Sequence, residues 1–515
     1  MLFSSNVFIF LYLPAVLLGY HLLARFGRVA LFGWLSLASL FFYGYWNPKY
    51  LFLLVGSIAL NFAASRAIVA VSSDRAKSAW LTSAIVANLA LLGWFKYLFP
   101  LLDFFHGVGW LARDYGHVLL PLGISFFTFT QIAYLIDLKQ EMAEAQDLLS
   151  YVLFVTFFPH LIAGPIIHHS EMMPQFAAQR HSGLRADDMA VGTTWFLMGL
   201  GKKVLIADRF GPIADSLYYG PHAFGAMATW VGVLSYAIQL YYDFSGYSDM
   251  ALGLARMFSL TFPVNFNSPY KATNIIDFWQ RWHMTLTRYL NLYLYNPLAL
   301  AMSRRRIKSG KKASKKAQKT LEGFSQLIAL PLVTTMFLAG IWHGAGLQFI
   351  LFGLAHAFYL AVNHAWRTFV AEDSRWQRLL PAPVGVLLTF SCVLVGQVFF
   401  RAASASSAFY VLGTLVGLHH GGGLDAFQGL HSSSRFANHG PQAAIYIAIA
   451  FAIFWALPNT QEILGQVEET ERNRSVAGGW LRWQPNLVWA LVMILLTAVT
   501  MPFINASTSF LYFQF

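Results

Sequence analysis

Charge is what this chain has least of: Asp, Glu, Lys and Arg together make up 11% of it, against 57% hydrophobic residues. An ordinary soluble domain carries about a quarter charged residues. With so few, a chain of 515 residues cannot cover a water-facing surface. That excludes a soluble enzyme and makes lipid the natural solvent. Cysteine is nearly absent too. Cys392 stands alone, so no intrachain disulfide and no cysteine metal cluster can form, and its apolar surroundings read as those of an inert core thiol. There is no GxSxG elbow, no Walker A loop and no dinucleotide fingerprint in a βα setting. A serine hydrolase, an ATP-driven pump and a flavin or nicotinamide enzyme are thereby excluded. The segment around His343 has no metal-ligand spacing such as HExxH, and neither a metal nor a bound cofactor is expected.

What is abundant is apolar sequence in runs near the length of a membrane span, about 18 to 20 residues as a helix. Strand-like alternation over about ten residues, the mark of a transmembrane barrel, is missing. Inside lipid the backbone must satisfy its own hydrogen bonds, and helices do so. The fold class is therefore all-α: a polytopic membrane protein with roughly 11 to 13 transmembrane helices and re-entrant or interfacial pieces between them. We read one membrane domain over 1–515, with N-terminal helices to about 115, a catalytic core over 116–366 and C-terminal helices over 367–515. The net charge of +12 reflects cytoplasmic loops, which favour Lys and Arg, rather than a nucleic-acid partner. Arg25 and Arg28 follow the first run, and Arg66, Arg75 and Lys77 follow the third. The uncharged N-terminus is accordingly expected outside, in the periplasm. The strongest basic run, 303–319, holds Arg304, Arg305, Arg306, Lys308 and Lys311 without an acid. It faces either anionic lipid headgroups, at about 1 kcal/mol per basic residue, or the phosphates of a donor such as coenzyme A or an acidic carrier protein.

Polar residues inside a membrane span are costly and mark function by default. They gather in three places. The first holds Asp243, Ser245, Tyr247 and Asp249, followed by Asn265 and Asn267. Such density suggests a polar, water-accessible interior, although polar glue between helices explains any single residue equally well. The second holds Asp277, Trp279, Arg281, Trp282 and His283. On a continuous helix Trp279, His283 and Thr287 share one face, while Asp277 and Arg281 pair on another. A histidine between tryptophans stays neutral, as a base must. The third is Trp342-His343-Gly344. Sixteen residues from Leu327, at 1.5 Å each, place His343 roughly 24 Å along a helix, deep in a hydrocarbon core of about 30 Å. His160, His168 and His169 flank a Gly-Pro break and are expected to line an outer mouth. His356 and His364 read as core or interface histidines.

At these residues the chain resembles the membrane-bound O-acyltransferase family, in its alginate O-acetyltransferase-like branch. The matching segments run in order: Phe3-Ser4-Ser5-Asn6, Pro121–Phe129, Phe158–Pro165, Gly201-Lys202-Lys203, Asp243–Met250, Asp277–Leu286, Trp342-His343-Gly344, Leu457–Gln461 and Phe510–Phe515. The resemblance implies a ring of helices around a thinned centre, with a tunnel in which a cytosolic thioester meets an external acceptor. It implies that His343 is the essential histidine and His283 the second functional one. Asp243, Ser245, Tyr247, Asp249, Asn265, Asn267, Trp279, Arg281, Trp282 and Trp342 are then the substrate-binding candidates. It implies acetyl-coenzyme A, or another acyl thioester or acyl carrier, as donor on the cytoplasmic side of a bacterial inner membrane. A periplasmic relay protein or an alginate-like exopolysaccharide would be the acceptor. Gln280 departs from the branch, where Arg is common, as does Tyr289–Pro297, where an Arg-Asp pair precedes the Tyr; both bear on the acceptor. The alternative is a transporter or flippase. Such proteins carry paired broken helices in two halves, and here the polar clusters crowd into residues 241–346 instead.

Overall fold

The computed structural model describes residues 1–111, 118–178, 183–370, 381–427, 440–465, 481–506 and 511. Of the family-like segments, only the terminal one lies mostly outside the described residues. Among the described residues the regular structure is helical, apart from one isolated bridge between Phe224 and Gly422. Seven helices among the described residues are long and apolar enough to cross a membrane, and three shorter apolar helices accompany them. Several apolar runs fall short of a span because the chain breaks inside them. The apolar stretch that begins at residue 118 becomes helical only at Ile124, after Gly123 turns the backbone at φ 70°. The run after Leu148 ends at Thr156 and resumes as a short turn, Phe158–Leu161. The 32-residue helix Ala226–Met257 has the length, but Asp243, Ser245, Ser248 and Asp249 interrupt its apolar character.

The chain divides into two compact units. The first comprises Met1–Val204, Phe244–Val264 and Trp483–Gln514. Its helices start where the sequence supplies caps: Asn47 accepts from Lys49 N ahead of Pro48–Ala70, and Asp147 from Ser150 N ahead of Leu148–Thr156. An N-cap of this kind is worth about 1 kcal/mol. Apolar matching cannot fix the register of helices in lipid, so hydrogen bonds and close packing must. Asn61 and Asn88 exchange reciprocal amide bonds of 3.1 and 2.7 Å between Pro48–Ala70 and Asp74–Gly93. Gln131 donates to Ser57 at 3.0 Å and accepts from Tyr151 at 3.1 Å, which ties in Ile124–Lys139 and Leu148–Thr156. All five side chains are buried.

The helix Ala186–Gly201 approaches the Phe244–Met257 stretch most tightly at facing glycines. A Cβ on Gly199 would lie 2.5 Å from Gly246 O, and one on Gly246 2.7 Å from Gly199 O. The pair Gly192 and Gly253 repeats this, at 2.7 and 2.6 Å. Small residues let membrane helices approach backbone to backbone.

The second unit comprises Leu205–Asp243 and Asn265–Arg482, with the terminal residue. At its centre Leu330–His343 and Leu347–Phe369 form a helical hairpin. Gly340 makes the approach possible, since a Cβ there would sit 2.5 Å from Phe349 O. Ala382–Arg401 packs alongside, and Gly396 lies so close that its Cβ would be 2.5 Å from His356 Nε2.

Candidate active site

The second unit holds both histidines singled out by sequence. His343 is the last residue of Leu330–His343 and is buried, 7% exposed. Its ring is boxed by Trp342, Phe400 and Phe352, at centroid distances of 4.7, 5.0 and 5.6 Å. From there ring contacts continue without a gap. Phe352 touches His356 at 4.8 Å, and His356 meets Trp279 at 5.2 Å. Trp279 leads to Phe278 at 5.9 Å and Phe278 to Trp282 at 5.8 Å. Trp282 touches Phe266 at 5.1 Å, and Phe266 reaches His283 at 6.3 Å. Aromatic wall thus runs from one imidazole to the other.

The segment around His283 departs from the expected continuous helix. Ile275–Trp279 stops, and the next helix, Met284–Leu290, begins after His283 adopts a left-handed conformation at φ 43°. Such a backbone at a non-glycine residue is strained and persists only where its surroundings impose it. Here they do: Asn267 N donates to Arg281 O at 2.9 Å, and Met284 N to Asn265 O at 2.9 Å. Trp279, His283 and Thr287 therefore do not share a face. Trp279 instead donates its indole N–H to His356 Nδ1 at 3.3 Å. The Asp277–Arg281 pair does form, at 2.9 Å, as its spacing implies.

One oxygen fixes the chemistry of His283. Asn265 Oδ1 accepts from the Thr285 hydroxyl at 2.9 Å and from the Thr285 backbone N–H at 3.4 Å. A backbone N–H only donates, so this atom is the amide oxygen. His283 Nδ1, 3.0 Å from the same oxygen, must then be the donor. That tautomer leaves the lone pair on Nε2. His283 is buried, 2% exposed, and a neutral ring of this tautomer carries its lone pair on Nε2.

The remaining candidates are distributed between the units. With His283 in the second unit are Asn265, Asn267, Trp279, Arg281 and Trp282, all joined by the contacts above, and Trp342 beside His343. Asp243 also belongs to it and is buried, 1% exposed. Ser245, Tyr247 and Asp249 belong to the first unit. There Tyr247 stacks on Phe3 at 4.6 Å. Asp249 accepts from Trp195 Nε1 at 3.2 Å and pairs with Lys202 at 2.6 Å. His160 is not at a mouth: it is buried with Nε2 2.9 Å from Phe154 O. Sequence reasoning missed Asn459, whose amide donates to Asn267 Oδ1 at 2.9 Å and Ser268 Oγ at 3.1 Å. Its Asn-x-x-Glu spacing was the available signal, since Asn459 and Glu462 form a capping box. His356 was set aside as a packing histidine, and nothing in the local pattern announces Trp279 as its partner.

The profile of the membrane-bound O-acyltransferase family matches residues 16–314 of this chain. The chain belongs to that family. It is an O-acyltransferase embedded in a membrane through many helices. The matched stretch takes in His283 and ends before His343. The acyltransferase is 40% identical over 446 residues to a peptidoglycan O-acetyltransferase of Helicobacter pylori, covering 81% of this chain and 80% of the relative. It is 37% identical to a probable alginate O-acetylase of Pseudomonas aeruginosa, over 79% of this chain and 74% of the relative. A probable alginate O-acetylase of Pseudomonas putida is 33% identical over the full length of both chains.

Proposed function

We propose that this acyltransferase takes an acetyl group from acetyl-coenzyme A on the cytoplasmic side of a bacterial inner membrane and passes it to a hydroxyl on the far side. The acceptor is an extracytoplasmic polysaccharide, or a periplasmic relay protein serving one. Peptidoglycan and alginate are the polymers in the names of its relatives. In this reading His343 is the general base. Its imidazole takes the hydroxyl proton as the oxygen attacks the thioester carbonyl. The new C–O bond forms, the C–S bond breaks, and the departing thiolate takes the proton back from the imidazolium. Proton transfer of this kind contributes about 10²–10⁴-fold to rate. His283, with its lone pair on Nε2, orients the acceptor hydroxyl or meets developing charge. The basic loop with Arg304, Arg305 and Lys308 lies on the donor side, and the N-terminus is periplasmic.

The observation that supports this most is the setting of His343, an imidazole buried among rings and linked by continuous aromatic contact to a second imidazole of defined tautomer. Dry aromatic walls also shield a thioester from hydrolysis. The test is reconstitution in liposomes, with labelled acetyl-coenzyme A on one side and glycan acceptor, with or without the periplasmic relay protein, on the other. Wild type should transfer label and His343→Gln should lose at least about 100-fold in rate. Full transfer by a folded His343→Gln protein would overturn the assignment.

A further inference from the structure

In the first unit, which contains neither catalytic candidate, Asp137, His168 and His169 bring one carboxylate and two imidazoles together, with their ligand atoms all within 4.8 Å of one another. Asp137 ends the helix Ile124–Lys139, while His168 and His169 open the helix His169–Ala178. His168 Nε2 is 2.8 Å from Asp137 Oδ2, and His169 Nδ1 is 3.5 Å from the same oxygen. Asp137 and His169 are buried, 2% and 4% exposed, so neither group is placed there for solvation. His168 Nδ1 lies 2.6 Å from Ser170 Oγ and accepts from the Ser170 backbone N–H at 3.4 Å, so the ring proton sits on Nε2, aimed at the carboxylate 2.8 Å away. Glu171 accepts from the His168 backbone N–H at 3.1 Å, and the Met142 backbone also faces the His169 ring.

We propose that these three residues form a structural site for a divalent first-row metal ion, with zinc the ion to test. Zinc takes imidazole nitrogen and carboxylate oxygen at about 2.0–2.2 Å, which sets tetrahedral ligand atoms about 3.3 Å apart. The two distances to Asp137 bracket that value, and the imidazole pair, within 4.8 Å, closes by no more than about 1.5 Å to reach it. A ligating histidine donates its other ring N–H to an outer-shell acceptor; as the ion displaces the Nε2 proton the ring takes the other tautomer, and Ser170 Oγ, 2.6 Å from Nδ1, accepts that bond. Water completes the fourth position. The ion clamps Ile124–Lys139 to the start of His169–Ala178, and so pins the chain leaving the Gly164-Pro165 break. Lys139 pairs with Asp74 at 3.1 Å and Lys77 with Glu141 at 3.6 Å, which puts the site at the basic end of the unit. By the charge rule that end is cytoplasmic, not the outer mouth expected from sequence, and the metal comes from the cytosol. No sequence motif announces the site, because its ligands stand about thirty residues apart and meet only in the fold.

The test uses the full chain in detergent, purified through a tag without histidine, stripped with a chelator and titrated with Zn²⁺ or Co²⁺. About one ion per chain should bind, and Co²⁺ should give the intense visible bands of low coordination. Asp137→Asn and His169→Gln should abolish binding. Ser170→Ala should weaken it about 10- to 100-fold, and His222→Gln, in the second unit, should leave it unchanged. Stripping the wild type should lower its melting temperature, and Zn²⁺ should restore it in a concentration-dependent way, a readout that needs no variant to fold. A folded, stripped wild type that takes up no zinc and melts unchanged overturns the site. Wild-type zinc affinity in Asp137→Asn and His169→Gln does so equally.

Discussion

Replacing Asn265 by Ala removes the oxygen on which three donors converge, together with the rest of its carboxamide. Asn265 Oδ1 receives His283 Nδ1 at 3.0 Å, Thr285 Oγ1 at 2.9 Å and Thr285 N at 3.4 Å. The Thr285 hydroxyl can turn to another acceptor, but the imidazole N–H is left buried. A stranded buried donor costs about 1–3 kcal/mol and each lost bond about 0.5–1.5 kcal/mol, so stability should fall by about 2–4 kcal/mol. The kinetic effect has a separate origin. Without the amide oxygen nothing enforces the tautomer that keeps the lone pair on Nε2. We expect kcat to drop about 100-fold, which is about 2.7 kcal/mol of transition-state stabilisation, while KM for the thioester stays near wild type. Asn265→Asp keeps an acceptor at the same place and should retain most of the activity. Single-turnover acetyl transfer, with melting curves on both variants, reads these quantities. A folded Asn265→Ala protein with wild-type kcat refutes the tautomer argument, and equal losses in the Ala and Asp variants reduce Asn265 to packing.

Gly396→Ala places a methyl 2.5 Å from His356 Nε2; overpacking should cost about 1–3 kcal/mol and break the Trp279 bond, and an unchanged melting temperature refutes it. Asp249→Asn leaves the partly buried Lys202 without its carboxylate, which should destabilise the first unit by about 1–3 kcal/mol, less than a fully buried pair would; the double variant Lys202→Met/Asp249→Leu should recover much of this in the same denaturation assay.

The membrane class was legible because composition and run length act on every residue at once. Individual spans were less so, since Gly123 and the turn after Thr156 break apolar runs that hydropathy alone joins. The Asp277–Arg281 pair was legible, being four residues apart on one turn. The Trp279–His283–Thr287 face was not. The left-handed His283 that destroys it is imposed by backbone bonds to Asn265 and Asn267, which sequence spacing cannot reveal. Asn459 lies 192 residues from Asn267, and the cluster of Asp137 with His168 and His169 is likewise a product of tertiary approach. Local patterns announce what helices do alone; what holds a strained histidine in place is decided elsewhere in the chain.

Swapping glycine for alanine is a routine way to toughen a protein, because it removes freedom from the unfolded chain. Four positions in this enzyme forbid it. At Gly192, Gly199, Gly246 and Gly253 the added methyl would meet facing main chain within 2.5–2.7 Å, and a carbonyl cannot swing aside as a flexible side chain would. Engineers seeking a hardier enzyme for crystallisation or assay should therefore leave this seam untouched and spend their substitutions on glycines such as Gly33 and Gly56, where the space is open.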